Sequence, residues 1–262
     1  MESFVKCSIE GGVGVVTLAR PEKRNALKRS FIEQLSAAID ELTSDATLRV
    51  LLLSAEGNVF CAGMDLGEMQ ERAQSENGSA EWQEDSRVYA ELLKKLFQLD
   101  VPTVVALQGP VLAGGVGMVL ACDFIVASDT SFLMLPEPMR GITAAMVTPL
   151  LVFRCGAGVA TQLLLSGEKF GAARCVELGL AYRAAPADQL NQTVESLIAS
   201  ILTGAKNALA ITKQHVRQCG GSHIESQLTD SISVSARARE TNDAREGLAA
   251  FLEKRKPAWQ NS

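Results

Sequence analysis

Two glycine-bearing turns hold the residues whose types and spacing could do chemistry. Ala113-Gly114-Gly115-Val116-Gly117 follows an apolar run and opens a helical one. A glycine inside a helix costs about 1 kcal/mol relative to alanine, so this cluster at a helix start needs a cause. Either another element packs hard against bare backbone, or a ligand reaches N–H groups at the positive end of the helix dipole. Taken alone, the cluster reads as packing. Phe60-Cys61-Ala62-Gly63-Met64-Asp65-Leu66 shifts that balance, because it too follows a strand pattern and turns into a helix. Two such turns can aim two N–H donors at one oxygen, a pair that stabilises an enolate or a tetrahedral oxyanion. Losing one donor typically costs about 100-fold or more in rate.

Other chemistries find little support. Only two histidines exist, His215 and His223, and with no GxSxG elbow or HExxH helix a histidine triad or metal site is not indicated. Asp45 and Asp129 are scattered carboxylates without ligand spacing. The glycines near residue 114 lack both the lysine of a phosphate loop and GxGxxG spacing. Cys7, Cys61, Cys122, Cys155, Cys175 and Cys219 are far apart with no CxxC pair, which suits small buried hydrophobes in a reducing cytosol. The opening Met1-Glu2-Ser3-Phe4-Val5-Lys6 lacks the basic region and long apolar run of a secretory signal, so a cytoplasmic location is expected. Val104 to Cys122 is almost entirely apolar, but Gln108-Gly109-Pro110 and the glycines after it interrupt the run, so a buried strand and turn is expected there and no membrane span. Lys plus Arg number 25 against 30 Asp plus Glu, and no basic block exceeds Lys254-Arg255-Lys256. Nucleic acid is therefore disfavoured as the main ligand.

The elements that must hold the two turns follow from periodicity. With 262 residues, 47% of them apolar, the chain can bury a substantial core in one or two domains. Val5 to Ile9 and Val13 to Leu18 read as a hairpin around Gly11-Gly12. Phe31, Leu35, Ala38, Ile39 and Leu42 recur at helical spacing, with Ser30 placed to cap them, and lead into a strand from Val50 to Leu53. Glu76-Asn77-Gly78-Ser79-Ala80 reads as a mobile surface loop before a long helix, Glu81 to Leu99. Thr103 to Leu107 is a fully apolar strand, another helix begins near Gly114, and short strands are expected at Phe124 to Ala127, Phe132 to Leu135 and Leu180 to Ala184. Continuous apolar strands between helices argue for an α/β core with buried sheets, and the strand-poor stretch after about residue 200 argues for a separate helical appendage.

Five segments in register carry a resemblance. Arg20-Pro21-Glu22-Lys23-Arg24-Asn25-Ala26-Leu27, Phe60 to Leu66, Gln108-Gly109-Pro110 with Ala113 to Gly117, Pro136-Glu137 with Gly141, and Phe251-Leu252-Glu253-Lys254-Arg255 resemble the crotonase (enoyl-CoA hydratase/isomerase) superfamily in order and spacing. The resemblance implies an α/β spiral of ββα units over residues 1–200 carrying an acyl-CoA site. It further implies a helical region over 201–262 that builds homotrimers or dimers of trimers. The substrate would be an acyl-CoA thioester, its coenzyme A part of the substrate, with no other cofactor and no metal. Carried over residue by residue, the oxyanion hole falls on the backbone N–H groups of Met64 and Gly114, in agreement with the two turns. The CoA-binding loop falls on Lys23, Asn25, Ala26 and Leu27, with Ala62, Asp65 and Leu66 near the adenine and Lys254 reaching the phosphates of a neighbouring subunit's CoA. The acyl pocket is expected from the Glu68 to Tyr89 region.

The chain departs from the family's hydratase pattern at one position. Typical hydratases carry two glutamates, one three residues after the oxyanion-hole glycine and one in the later Pro-Glu segment; here those positions are Gly117 and Glu137. Glu137 stands between Pro136 and Pro138 after the apolar Phe132-Leu133-Met134-Leu135, where desolvation should raise its pKa and suit it to acid/base work. The chain thus reads as an acyl-CoA hydratase with Glu137 as sole acid/base. It is similar to bacterial hydratases of the methylglutaconyl-CoA type around Gly114 to Gly117 and in Met139-Arg140-Gly141-Ile142-Thr143 followed by Thr148-Pro149. Arg140, or a water held by backbone groups, is the stand-in considered for the missing carboxylate. The alternative is a Δ3-Δ2 enoyl-CoA isomerase, whose reaction needs one base. A dehalogenase would need an aspartate where Ala145 stands, and a decarboxylase a proton-bearing aromatic where Phe132 and Phe153 are the nearest rings. From another class, a non-catalytic acyl-CoA-binding trimer would have little reason to keep Glu137.

Overall fold

The computed structural model describes residues 3–260; Met1 and Glu2 of the opening segment, and Asn261 and Ser262, lie outside the described residues. The chain opens with the hairpin β1 (Val5–Glu10) and β2 (Val13–Leu18), turned by Gly11 and Gly12 at positive φ. It continues through α1 (Arg29–Ser44), β3 (Val50–Ala55), α2 (Leu66–Gln74), α3 (Gly78–Gln98), β4 (Thr103–Leu107), β5 (Val111–Leu112), α4 (Gly114–Ala121), β6 (Phe124–Ser128) and β7 (Phe132–Met134). A 3-10 turn, Glu137–Arg140, precedes α5 (Thr148–Ser166), β8 (Lys169–Gly171), α6 (Ala172–Glu177) and β9 (Arg183–Ala185). Four helices follow: α7 (Leu190–Leu202), α8 (Lys206–Gly220), α9 (Ile224–Arg239) and α10 (Asn242–Leu252).

One sheet runs β1-β2-β3-β4-β6-β9, antiparallel in its hairpin and parallel elsewhere. A second runs β5-β7-β8. Every residue of β4 is buried, as its unbroken apolar run requires of a strand covered on both faces. The apolar stripe of α1 is buried as its spacing dictates.

Three local expectations are corrected. Ser30 lies inside α1, whose N-cap is Lys28; the orphan N–H of Arg29 is satisfied by the Glu68 carboxylate at 3.0 Å, a partner from another helix. The surface loop is shorter than Glu76–Ala80, because Gly78, Ser79 and Ala80 already belong to α3 and the Ser79 hydroxyl is tied to Glu240. Cys61, Cys122 and Cys175 are buried, but Cys7 and Cys219 are exposed thiols. Of the helices after residue 200, α9 lies along α3 and its Ile224 and Leu228 join the main core, whereas α8 buries none of its residues.

Val104 to Cys122 forms β4, β5 and α4 inside the core. Among the described residues, one helix, α5, is long and apolar enough to cross a membrane by length and composition. It is broken at Gly156 (φ 73°, ψ 162°) and buries Leu150, Leu151, Ala160 and Leu163.

Candidate active site

The two glycine turns meet. Leu27 donates its N–H to Gly63 O and accepts from Asp65 N–H, both at 2.8 Å. Successive amides of an extended segment point to opposite sides, so the Met64 N–H is turned away from Leu27. Gly114 is the first residue of α4, where an N–H has no intrahelical acceptor. Neither N–H has a protein acceptor among the described residues, and both residues line one cavity of about 520 Å³.

Gly63 makes this approach possible. A Cβ there would lie 2.6 Å from the Ala113 Cβ and 3.4 Å from Gly114 N, and its φ of +88° is one that side chains rarely adopt. Ala113 pays on the other side of the contact. Its φ of 51° and ψ of −130° lie outside the ordinary range of an L-residue, a strain of roughly 1–3 kcal/mol. Ala113→Gly is expected to stabilise the fold by about 1 kcal/mol, after subtracting the roughly 0.5–1 kcal/mol of extra chain entropy that glycine loses. A denaturant midpoint that does not rise would show that the turn is relaxed with alanine.

Of the site residues expected from sequence, Lys23, Ala26, Ala62, Met64, Asp65, Leu66, Gly114 and Glu137 line the cavity, whereas Asn25, Leu27 and Lys254 do not. Asn25 is fully buried; its side chain accepts from Arg20 N–H and donates to Glu56 O and Val59 O at 2.9–3.0 Å. Its amide therefore shapes the loop from behind. Leu27 is a core residue. Lys254 is exposed beyond α10, although Phe251 and Leu252 just before it close the cavity wall. Asp65 has a double structural role: it caps α2 through Gly67 and Glu68 N–H and accepts from Arg20 at 2.8 Å. Burial pushes its pKa up, but these hydrogen bonds outweigh it and hold the carboxylate below its ordinary value.

Glu137 opens the 3-10 turn after β7 and is 6% exposed. Burial pushes it up to about 7, against the opposing pull of its own backbone N–H and of Arg239. Its Oε2 is buried without a hydrogen-bond partner among the described residues. A carboxylate that faces a cavity with an unsatisfied oxygen and a pKa near neutrality is equipped to exchange protons with whatever enters.

Tyr89 and Arg239 are among the lining side chains that sequence did not single out. Tyr89 falls at the end of the region expected to form the acyl pocket, but its place in the stripe Trp82, Ser86, Tyr89, Leu93 carries only a core signal. Arg239 reads as one more charge near a helix end, yet it lines the cavity and donates to Ser86 Oγ at 2.9 Å and Ser235 Oγ at 2.6 Å. Burial lowers its pKa.

The fold and the paired turns define a crotonase-fold protein. A crystal structure of an enoyl-CoA hydratase from Mycobacterium avium matches it with a TM-score of 0.87 at 32% identity, covering 99% of this chain and 100% of that one. The family model for enoyl-CoA hydratase/isomerase matches residues 8–262, and the chain belongs to that family. It is 31% identical over 261 residues to an enoyl-CoA isomerase/hydratase of Mycosarcoma maydis, covering 95% of this chain and 92% of the relative. It is also 30% identical over 247 residues to 2,3-dehydroadipyl-CoA hydratase of Escherichia coli, covering 94% of each.

Proposed function

We propose that this protein hydrates a 2-enoyl-CoA, with Glu137 as its only acid/base. The observation that carries the proposal is one cavity holding two acceptor-free N–H groups, from Met64 and Gly114, together with the unsatisfied Glu137 Oε2. The thioester oxygen accepts both N–H groups, which draws electrons from the conjugated alkene and stabilises the enolate formed when water adds at C3. Glu137 removes a proton from the water and delivers one to C2. Lys23, Ala26, Ala62, Asp65 and Leu66 line the wall offered to the CoA part, and no cofactor beyond that CoA is needed. Lys254 is proposed to meet the CoA phosphates of a neighbouring subunit in a trimer, in a cytoplasmic enzyme.

The second reading, Δ3-Δ2 isomerisation, is favoured by Gly117 at the position of the first hydratase glutamate, since moving a proton from C2 to C4 needs one base and no water. Parallel turnover of a 2-enoyl-CoA and a 3-enoyl-CoA separates the two. Conversion of the 2-enoyl substrate to a 3-hydroxyacyl product is the expected result. Conversion of the 3-enoyl substrate alone would make the protein an isomerase, and turnover of neither would favour a binding trimer without catalysis.

A further inference from the structure

The space that a side chain at Gly117 would fill is already occupied by a phenol. A Cβ at Gly117 would lie 2.5 Å from Tyr89 Oη, and one at Gly114 would lie 3.5 Å from the same atom. Tyr89 projects from α3, is 2% exposed, lines the cavity and donates its hydroxyl hydrogen to Gly114 O. With that hydrogen engaged, the oxygen has only lone pairs to offer the cavity. Burial, with the nearby Cys61 and Glu137, raises the phenol well above its ordinary pKa, so it stays protonated. Arg140 also lines the cavity, its guanidinium 3.9 Å over the Phe251 ring, but a guanidinium has no lone pair with which to accept a water hydrogen.

We propose that Tyr89 is the water-holding residue that stands in for the absent first glutamate: its Oη accepts one hydrogen of the attacking water while Glu137 takes the other. This rests on the hydratase reading above. The water oxygen bonds C3, and the C2–C3 π pair moves toward the thioester oxygen as the enolate. The water proton passes to Glu137, and Glu137 gives a proton to C2. The second hydrogen stays on the new C3 hydroxyl and Tyr89 keeps its own, so the sum is water plus alkene with no further reactant. A neutral acceptor suits this place, because a second buried carboxylate would raise the cost of ionising Glu137.

The test compares wild type and Tyr89→Phe in two reactions, hydration of a 2-enoyl-CoA and exchange of the C2 hydrogen of a saturated acyl-CoA in D2O. Exchange needs Glu137 and the two N–H groups but no oriented water, and it doubles as a check that the variant is folded. Hydration is expected to fall about 100-fold, while exchange and acyl-CoA affinity stay within about threefold. Hydration retained by Tyr89→Phe would overturn the proposal. So would an equal fall in both reactions, which would mean that the hydroxyl acts only by bracing the Gly114 turn. A wild type that neither hydrates nor exchanges would instead bring down the hydratase reading itself.

Discussion

Glu137→Gln is expected to lower hydration and C2 exchange together by about 10²- to 10⁴-fold, while acyl-CoA affinity changes little. Glutamine has the shape of the protonated acid but cannot take a proton, so the variant removes the step and spares the cavity. The parent enzyme supplies a second signature. A base must be ionised to work, so kcat/KM is expected to rise about tenfold per pH unit up to about 7, where burial has placed this carboxyl, and to level off above it. Glu137→Gln loses that limb. Stability runs the opposite way. Because the folded pKa is raised, the group's contribution is full below its unfolded value and is lost as pH rises through about 7. The variant is therefore expected to match the parent near about pH 5 and to exceed it near about pH 9, read from denaturant midpoints. Activity retained within tenfold would exclude Glu137 as the base.

Deleting the Gly114 N–H is expected to cost at least about 10²-fold in turnover. Proline is the substitution that removes it, its Cβ meeting Met64 Cε at 3.4 Å and Tyr89 Oη at 3.5 Å, ordinary contact distances, and the first turn of a helix tolerates it because that N–H bonds nothing within the helix. The residue before proline is itself restricted, and Ala113 already holds a left-handed φ. The variant is therefore best built as Gly114→Pro with Ala113→Gly, against Ala113→Gly alone as its reference. The proline ring takes the place of the hydrogen, leaving the thioester oxygen with Met64 N–H as its single donor. A folded double variant that turns over like its reference would remove Gly114 from the proposed oxyanion site.

The turns were legible because their signals are local. Glycines at strand-to-helix junctions and apolar runs of strand length lie next to one another in the chain, so the two turns could be read before any packing was known, while the choice of Met64 and Gly114 within them came from the crotonase resemblance. Glu137 was legible for a similar reason, since its flanking prolines and the apolar strand before it describe its burial. Tyr89 was not: its place in the cavity wall depends on α3 packing against α4 where Gly117 has no side chain to exclude the phenol. Arg239 reads as a solvated charge until α9 is laid along α3 and Ser86 is brought to it. Asn25 erred in the other direction. A polar residue in a recognition loop resembles a ligand contact, yet its hydrogen bonds are spent on carbonyls more than thirty residues away. Ser30 lost its capping role to Glu68 on the same principle: a distant partner outbids a local one once tertiary structure supplies it.

The cavity wall begins at Glu22 and is closed by Phe251 and Leu252, so it is assembled from almost the full length of the chain. Domains gain structure from the N-terminus onward as they are synthesised, and here the hairpin and central strands are made long before the residues that roof the site. A nascent chain can therefore carry Glu137 and both turns while the cavity still lacks the part of its wall that Phe251 and Leu252 supply.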